Sequence, residues 1–132
     1  MTTVFTPIIL GQSDTQKVFW EDEAHVAFLT HRPHTRGHTL VVPKKEYKTY
    51  LEMPEEEYKA YMLVCRKMST ILNEIFNPTH VDFAISGFEV PHVHVHLIPV
   101  NHPEEINTGM GHDASKEELE EVSNIISSKI NF

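Results

Sequence analysis

Cysteine is scarce in this chain of 132 residues: Cys65 stands alone. One thiol forms no internal disulfide and cannot supply a four-cysteine zinc site, so the expected compartment is the reducing cytoplasm. Basic charge is short too, with eleven Lys and Arg against nineteen Asp and Glu and a formal charge of −8. Proteins that grip polyphosphate backbones carry a basic stripe, which makes nucleic acid an unexpected partner. A small anionic ligand is still compatible with this balance, because its binding depends on local donors. Long apolar runs are missing: residues 39–42 (TLVV) and 62–65 (MLVC) are far too short to span a bilayer. The start, MTTVFTPIILGQ, lacks the positive charge and small-residue cleavage site of a signal peptide. Internal repeats, low-complexity tracts and linkers are absent as well. What is left, 40% hydrophobic and 23% charged, is the composition of one soluble globular domain spanning residues 1–132.

Within that domain the first third reads as strands. Residues 15–20 and 25–29 are short apolar-polar segments on either side of Glu21-Asp22-Glu23, a hairpin turn, and the β-branched run 39–42 is stopped by Pro43. A helix then starts at Pro54, with Glu55, Glu56 and Glu57 where the dipole favours negative charge. Its apolar stripe is Tyr58, Tyr61, Met62, Cys65, Met68, Leu72, Ile75 and Phe76, and Asn77-Pro78 ends it. Residues 80–86 and 92–98 read as two further strands and 101–111 as a polar loop. A C-terminal helical extension, 112–132, has Ser115 and Glu118 in capping-box positions and Leu119, Val122, Ile126 and Ile130 on one face. The expected class is α+β: an antiparallel sheet of about five strands with two packed helices.

Histidine is abundant, ten in all, and His92, His94 and His96 fall within five residues. On a strand they share one face, about 6.6 Å apart, while Val93, Val95 and Leu97 take the other. Adjacent imidazoles repel one another when protonated and are seldom needed for packing. Two chemistries use such a row: a metal site through imidazole nitrogen, or nucleophilic catalysis at phosphorus, and spacing alone does not separate them.

The stretch HVHVHLI, continuing into Pro99, has the form of the histidine triad (HIT) superfamily. Residues 37–45, GHTLVVPKK, closely resemble that family's G-H-x-L-V-x-P-K-x segment. Phe5-Thr6-Pro7-Ile8-Ile9 with Gly11, then Val18 and the acidic turn, look like its N-terminal strand and turn, so the resemblance runs from Phe5 to Val100. It implies that His94 is a nucleophile attacking the α-phosphate of a purine nucleotide conjugate, a phosphoramidate or an anhydride. His92 would orient His94 through its backbone carbonyl, His96 would contact a phosphate oxygen or the leaving group, and His38 would support the triad. Phe5, Ile8, Phe28, Leu29 and Leu40 match base-binding positions. The resemblance also implies a symmetric homodimer with joined sheets and the long helix at the interface, and no metal or cofactor. The likeness is to the Hint-like and bacterial branches rather than to the dinucleoside polyphosphate hydrolases.

Three departures stand out. Thr30 sits where many relatives place Asp or Asn against the ribose. The approach to the triad is shortened to Ser86-Gly87-Phe88-Glu89-Val90-Pro91, with Val90 in register. Glu89 replaces the Ser or Thr that meets the phosphate, so it either turns to solvent or favours a leaving group bearing an amine. Val4-Phe5-Thr6-Pro7 replaces the C-x-x-C of zinc-binding members. Two other functions remain open: a metal-dependent enzyme using the histidine strand, and a nucleotide-binding regulatory protein with little turnover. Arg32, Arg36, Lys44 and Lys45 read either as a phosphate attractant or as a solvated cluster.

Overall fold

The computed structural model describes residues 3–106 and 111–132. Five strands form one antiparallel sheet in the order β1-β2-β3-β5-β4: β1 (Val18–Glu21), β2 (His25–Leu29), β3 (Thr39–Pro43), β4 (His80–Ile85) and β5 (Val95–Val100). One face is covered by α2 (Glu55–Phe76) and α3 (Lys116–Ser127). Alternation along each strand sorts the side chains. Ala27, Leu29, Val41, Val95 and Leu97 meet Tyr61, Cys65, Met68 and Leu72 of α2 and Leu119, Val122 and Ile126 of α3 in the main core. Val26, Phe28, Leu40 and Val42 face the other way, where Phe5 and Ile8 cover them.

The expected α+β class is what the chain folds into, with local differences. Phe5–Ile9, read as strand-like, contains one helical turn, α1 (Thr6–Ile9), because Pro7 fits a first turn and the residues that follow it close onto the apolar cluster. Pro54 caps α2 from outside with ψ 145°, and the helix begins at Glu55. Its buried stripe gains Val64 and Ile71 and loses the exposed Tyr58, since two helices and a sheet cover a wider arc than one apolar row. Asn77 ends α2 at φ 45°, a left-handed turn that asparagine tolerates. Part of the loop 101–111 is a 3₁₀ turn, Pro103–Ile106; its residues 107–110 lie outside the described set. Ser115 accepts from the Glu118 N–H as expected, and Ile130 packs beyond the end of α3. Among the described residues no helix is long and apolar enough to cross a membrane.

One glycine sets the path into the site. Gly37 has φ +93°, and a Cβ there would lie 2.5 Å from the Phe76 ring. Gly37→Ala is therefore expected to cost about 2 kcal/mol, from backbone strain and displacement of the ring. A urea midpoint unchanged from wild type would refute this.

Candidate active site

Cross-strand register builds the site. Leu40 pairs with His96, so the β3 residues His38, Leu40 and Val42 lie on the same sheet face as His94 and His96. The strand expected over 92–98 hydrogen-bonds in the sheet only from Val95. His92 and His94 precede it, in a segment whose Val93 N–H donates to the Tyr47 carbonyl at 2.8 Å. The side-chain alternation continues through this segment without the ladder.

A chain of hydrogen bonds assigns a tautomer to each ring. The His34 backbone N–H donates to His38 Nδ1 at 3.0 Å, so His38 carries its proton on Nε2. That proton points at His96 Nδ1, 2.9 Å away, and leaves the His96 proton on Nε2. His94 donates from Nδ1 to the His92 carbonyl at 2.7 Å, which frees its Nε2 lone pair. His92 donates from Nε2 to the Pro43 carbonyl at 2.8 Å, and its buried Nδ1 has no hydrogen-bond partner. The result is one bare nitrogen, His94 Nε2, and one N–H donor, His96 Nε2, on rings with centroids 5.0 Å apart.

Burial keeps these rings neutral at pH 7. It is the leading cause holding His38 down at about 3, with His96 and His34 adding to it. It likewise leads in holding His96 at about 4, helped by His94 and His34. His94 lies below its usual 6.5, again first through burial; the His92 carbonyl and the Glu89 charge oppose the shift. A neutral imidazole with a free lone pair is a competent nucleophile, and a neutral N–H donor beside it can hold an oxyanion.

The other expected residues divide. Phe5, Ile8, Phe28 and Leu40 do form one apolar cluster on the triad face, with Val90 partly buried against it. The Phe5 ring stands edge-on to Phe28, His92 and His94 at 5.8, 5.9 and 5.0 Å. Leu29 does not join them: one residue on from Phe28, the pleat turns it into the helix-side core. Thr30 is buried, its hydroxyl accepts from the Arg32 N–H at 3.3 Å, and it lines a small cavity of about 50 Å³ beside His38. Ser86 and Glu89 are exposed. The four basic residues form no shared anion site, for each is paired: Arg32 with Asp113, Arg36 with Glu121, Lys44 with Glu21 and Lys45 with Glu57.

Two contributors had no sequence signal. His34 supplies the N–H that starts the proton chain, and its ring lies edge-on to His38 at 5.1 Å while its Nδ1 donates to the Glu105 carbonyl at 3.1 Å. The Pro43 carbonyl anchors His92. A larger cavity, about 450 Å³, opens on the helix side of the sheet among His25, Tyr47 and Glu57, away from the triad. Among the described residues no three His, Cys, Asp or Glu side chains are placed to hold a metal ion.

Comparison with known proteins agrees with this geometry. Residues 12–102 match the HIT domain family. A HIT-like protein of Methanocaldococcus jannaschii is 39% identical over 100 residues, covering 73% of this chain and 77% of that one. A bis(5′-adenosyl)-triphosphatase of Dictyostelium discoideum is 33% identical over 103 residues, covering 74% of this chain and 67% of its own. The crystal structure of a HIT-like protein from Bartonella henselae superposes with a TM-score of 0.86 at 24% identity, covering 98% and 96% of the two chains.

Proposed function

Because the chain belongs to the HIT family, we propose that it is a nucleotidyl hydrolase or transferase acting at the α-phosphate of a purine nucleotide conjugate. The observation that carries this reading is the opposed protonation of two neighbouring rings, a bare Nε2 on His94 beside an N–H on His96. His94 Nε2 attacks phosphorus and forms a P–N bond while the bond to the leaving atom breaks. That atom keeps the electron pair and takes a proton from solvent. The His96 N–H donates to a non-bridging oxygen as charge gathers there. Water then attacks phosphorus, the P–N electron pair returns to His94, and the proton lost by the water replaces the one borrowed. One water is consumed in all.

The leaving group is a phosphoramidate amine in this reading. A nucleotide leaving from an anhydride is the second possibility, favoured by the similarity to the Dictyostelium triphosphatase. Both proceed through the same nucleotidyl-histidine. No step requires a metal. Pairing of two copies belongs to the same proposal: β4 is an open sheet edge, and Phe83 on it and Leu63 on α2 are 44% and 54% exposed, surface that a joined sheet with facing helices would cover.

The test is release of AMP from adenosine 5′-phosphoramidate and from diadenosine triphosphate in the presence of EDTA. Release from either supports the reading and names the leaving group. Tight binding of AMP with no turnover of either would place the regulatory alternative first. The pH profile adds a check of sign. Protonation of His94 removes the nucleophilic lone pair, and its value lies below 6.5, so the acid limb of kcat/KM is expected below pH 6.5. An acid limb above pH 7 would contradict the buried, neutral His94.

A further inference from the structure

The triad sits among groups without net charge. Burial keeps His38 and His96 neutral at pH 7, and the nearest basic side chains of the loops are held in ion pairs elsewhere. The exception is the segment 86–91, which joins β4 to His92. It exposes Ser86, Gly87, Phe88 and Glu89 in succession, with the Phe88 ring 98% exposed. A lone exposed phenylalanine is ordinary on a protein surface. The carboxylate next to it is less so. Glu89 makes no ion pair among the described residues, yet it is near enough for its charge to favour the protonated form of His94.

A nucleotide placed for attack by His94 brings its own negative phosphate toward this carboxylate. With no protein cation between them, the two charges repel, and a positive group carried by the substrate would relieve both. Exposed as it is, Glu89 can follow a flexible arm without repacking anything. We infer that Glu89 is a specificity determinant for the leaving group, selecting nucleoside 5′-phosphoramidates whose leaving amine carries a second, cationic ammonium a few bonds away. This rests on the nucleotidyl-transfer reading above and deepens it. In the step itself the P–N bond to the amine breaks, its electron pair and one solvent proton go to the leaving nitrogen, and the distal ammonium is unchanged throughout. Its charge acts in binding and in the approach to the transition state.

The experiment compares three adenosine 5′-phosphoramidates of equal chain length, the leaving amine ending in an ammonium, a hydroxyl or a carboxylate. Release of AMP is followed for wild type, Glu89→Gln and Glu89→Lys at low salt. Wild type is expected to rank ammonium over hydroxyl over carboxylate, with about a threefold to fivefold step in kcat/KM between the first two, the scale of an exposed ion pair. Glu89→Gln brings that ratio close to one, and Glu89→Lys inverts it. Raising the salt to about 0.5 M shrinks the wild-type ratio, as screening requires. Equal rates for the three substrates in wild type, or a preference that survives in Glu89→Gln, would overturn the inference while AMP release itself continues. Absence of release from all three would instead remove the reading beneath it, and the inference with it.

Discussion

Replacing His94 with asparagine is expected to lower AMP release by about four orders of magnitude or more, the scale seen when a covalent nucleophile is removed. The expectation is specific because the substitution leaves most of the site as it was. An asparagine amide N–H can still reach the His92 carbonyl, which His94 Nδ1–H meets at 2.7 Å, so the local hydrogen bond survives. What disappears is the lone pair at Nε2. Stability should change by no more than about 1 kcal/mol, so loss of rate cannot be traced to unfolding. His96→Asn removes only a hydrogen-bond donor to the developing charge, and its effect should be smaller, about 10²-fold. The measurement is single-turnover kinetics for both variants with EDTA present, together with trapping of the nucleotidyl-enzyme by acid quench. If His94→Asn keeps activity within tenfold of wild type, the nucleophile lies elsewhere and the tautomer argument fails with it. If His96→Asn proves the more damaging of the two, the roles of the two rings are reversed.

The triad was legible in the sequence because alternation is a strict geometric rule. Imidazoles at 92, 94 and 96 cannot help sharing a face when the chain is extended, and the valines between them complete the pattern. The long helix was legible for the same reason at a different period. Three features were not. Leu29 was grouped with Phe28 because a motif match follows the chain, whereas the pleat sends neighbouring side chains to opposite faces. The turn Thr6–Ile9 reads as strand-like from its apolar residues, and only its packing over Val26, Phe28 and Leu40 makes one helical turn the better use of them. His34 carries no periodic or spacing signal at all: its part is played by a backbone N–H, which every residue but proline possesses, so side-chain identity cannot announce it. Glu89 was half legible. The sequence posed solvent or an amine as alternatives, and the fold allows both together, a carboxylate that is exposed and still felt by His94.

Neutrality of the buried rings should make this fold markedly sensitive to acid. His38 is held at about 3 and His96 at about 4, each first by burial, whereas both titrate near 6.5 in an unfolded chain. The folded values are the lower ones, so as the pH falls the unfolded chain takes up protons first. Stability is thus fully present above about pH 6.5 and is lost on the way down to the folded values. Each ring contributes about 1.4 kcal/mol per pH unit once its unfolded counterpart is charged, or about 3 kcal/mol per unit for the pair between roughly pH 5.5 and 4. Against a typical total of about 5–15 kcal/mol, a loss of this size should unfold the protein near pH 4–5. Carboxylates also weaken the fold in acid, but in a lower window: Asp22, held down by His25 and backbone N–H groups against an opposing burial effect, loses its contribution only below about 3.8. Urea unfolding at pH 7, 6, 5.5 and 5 separates the two. The wild-type free energy should be nearly flat from 7 to 6.5 and then fall with increasing slope. In His38→Gln, which cannot titrate, the slope between pH 5.5 and 5 should drop by about 1.4 kcal/mol per unit, even though the variant begins less stable for want of the bond to His96. A wild-type profile that stays flat down to pH 5 would mean that the histidines take up protons in the folded state. The neutral, tautomer-fixed site from which His94 acts would then not exist.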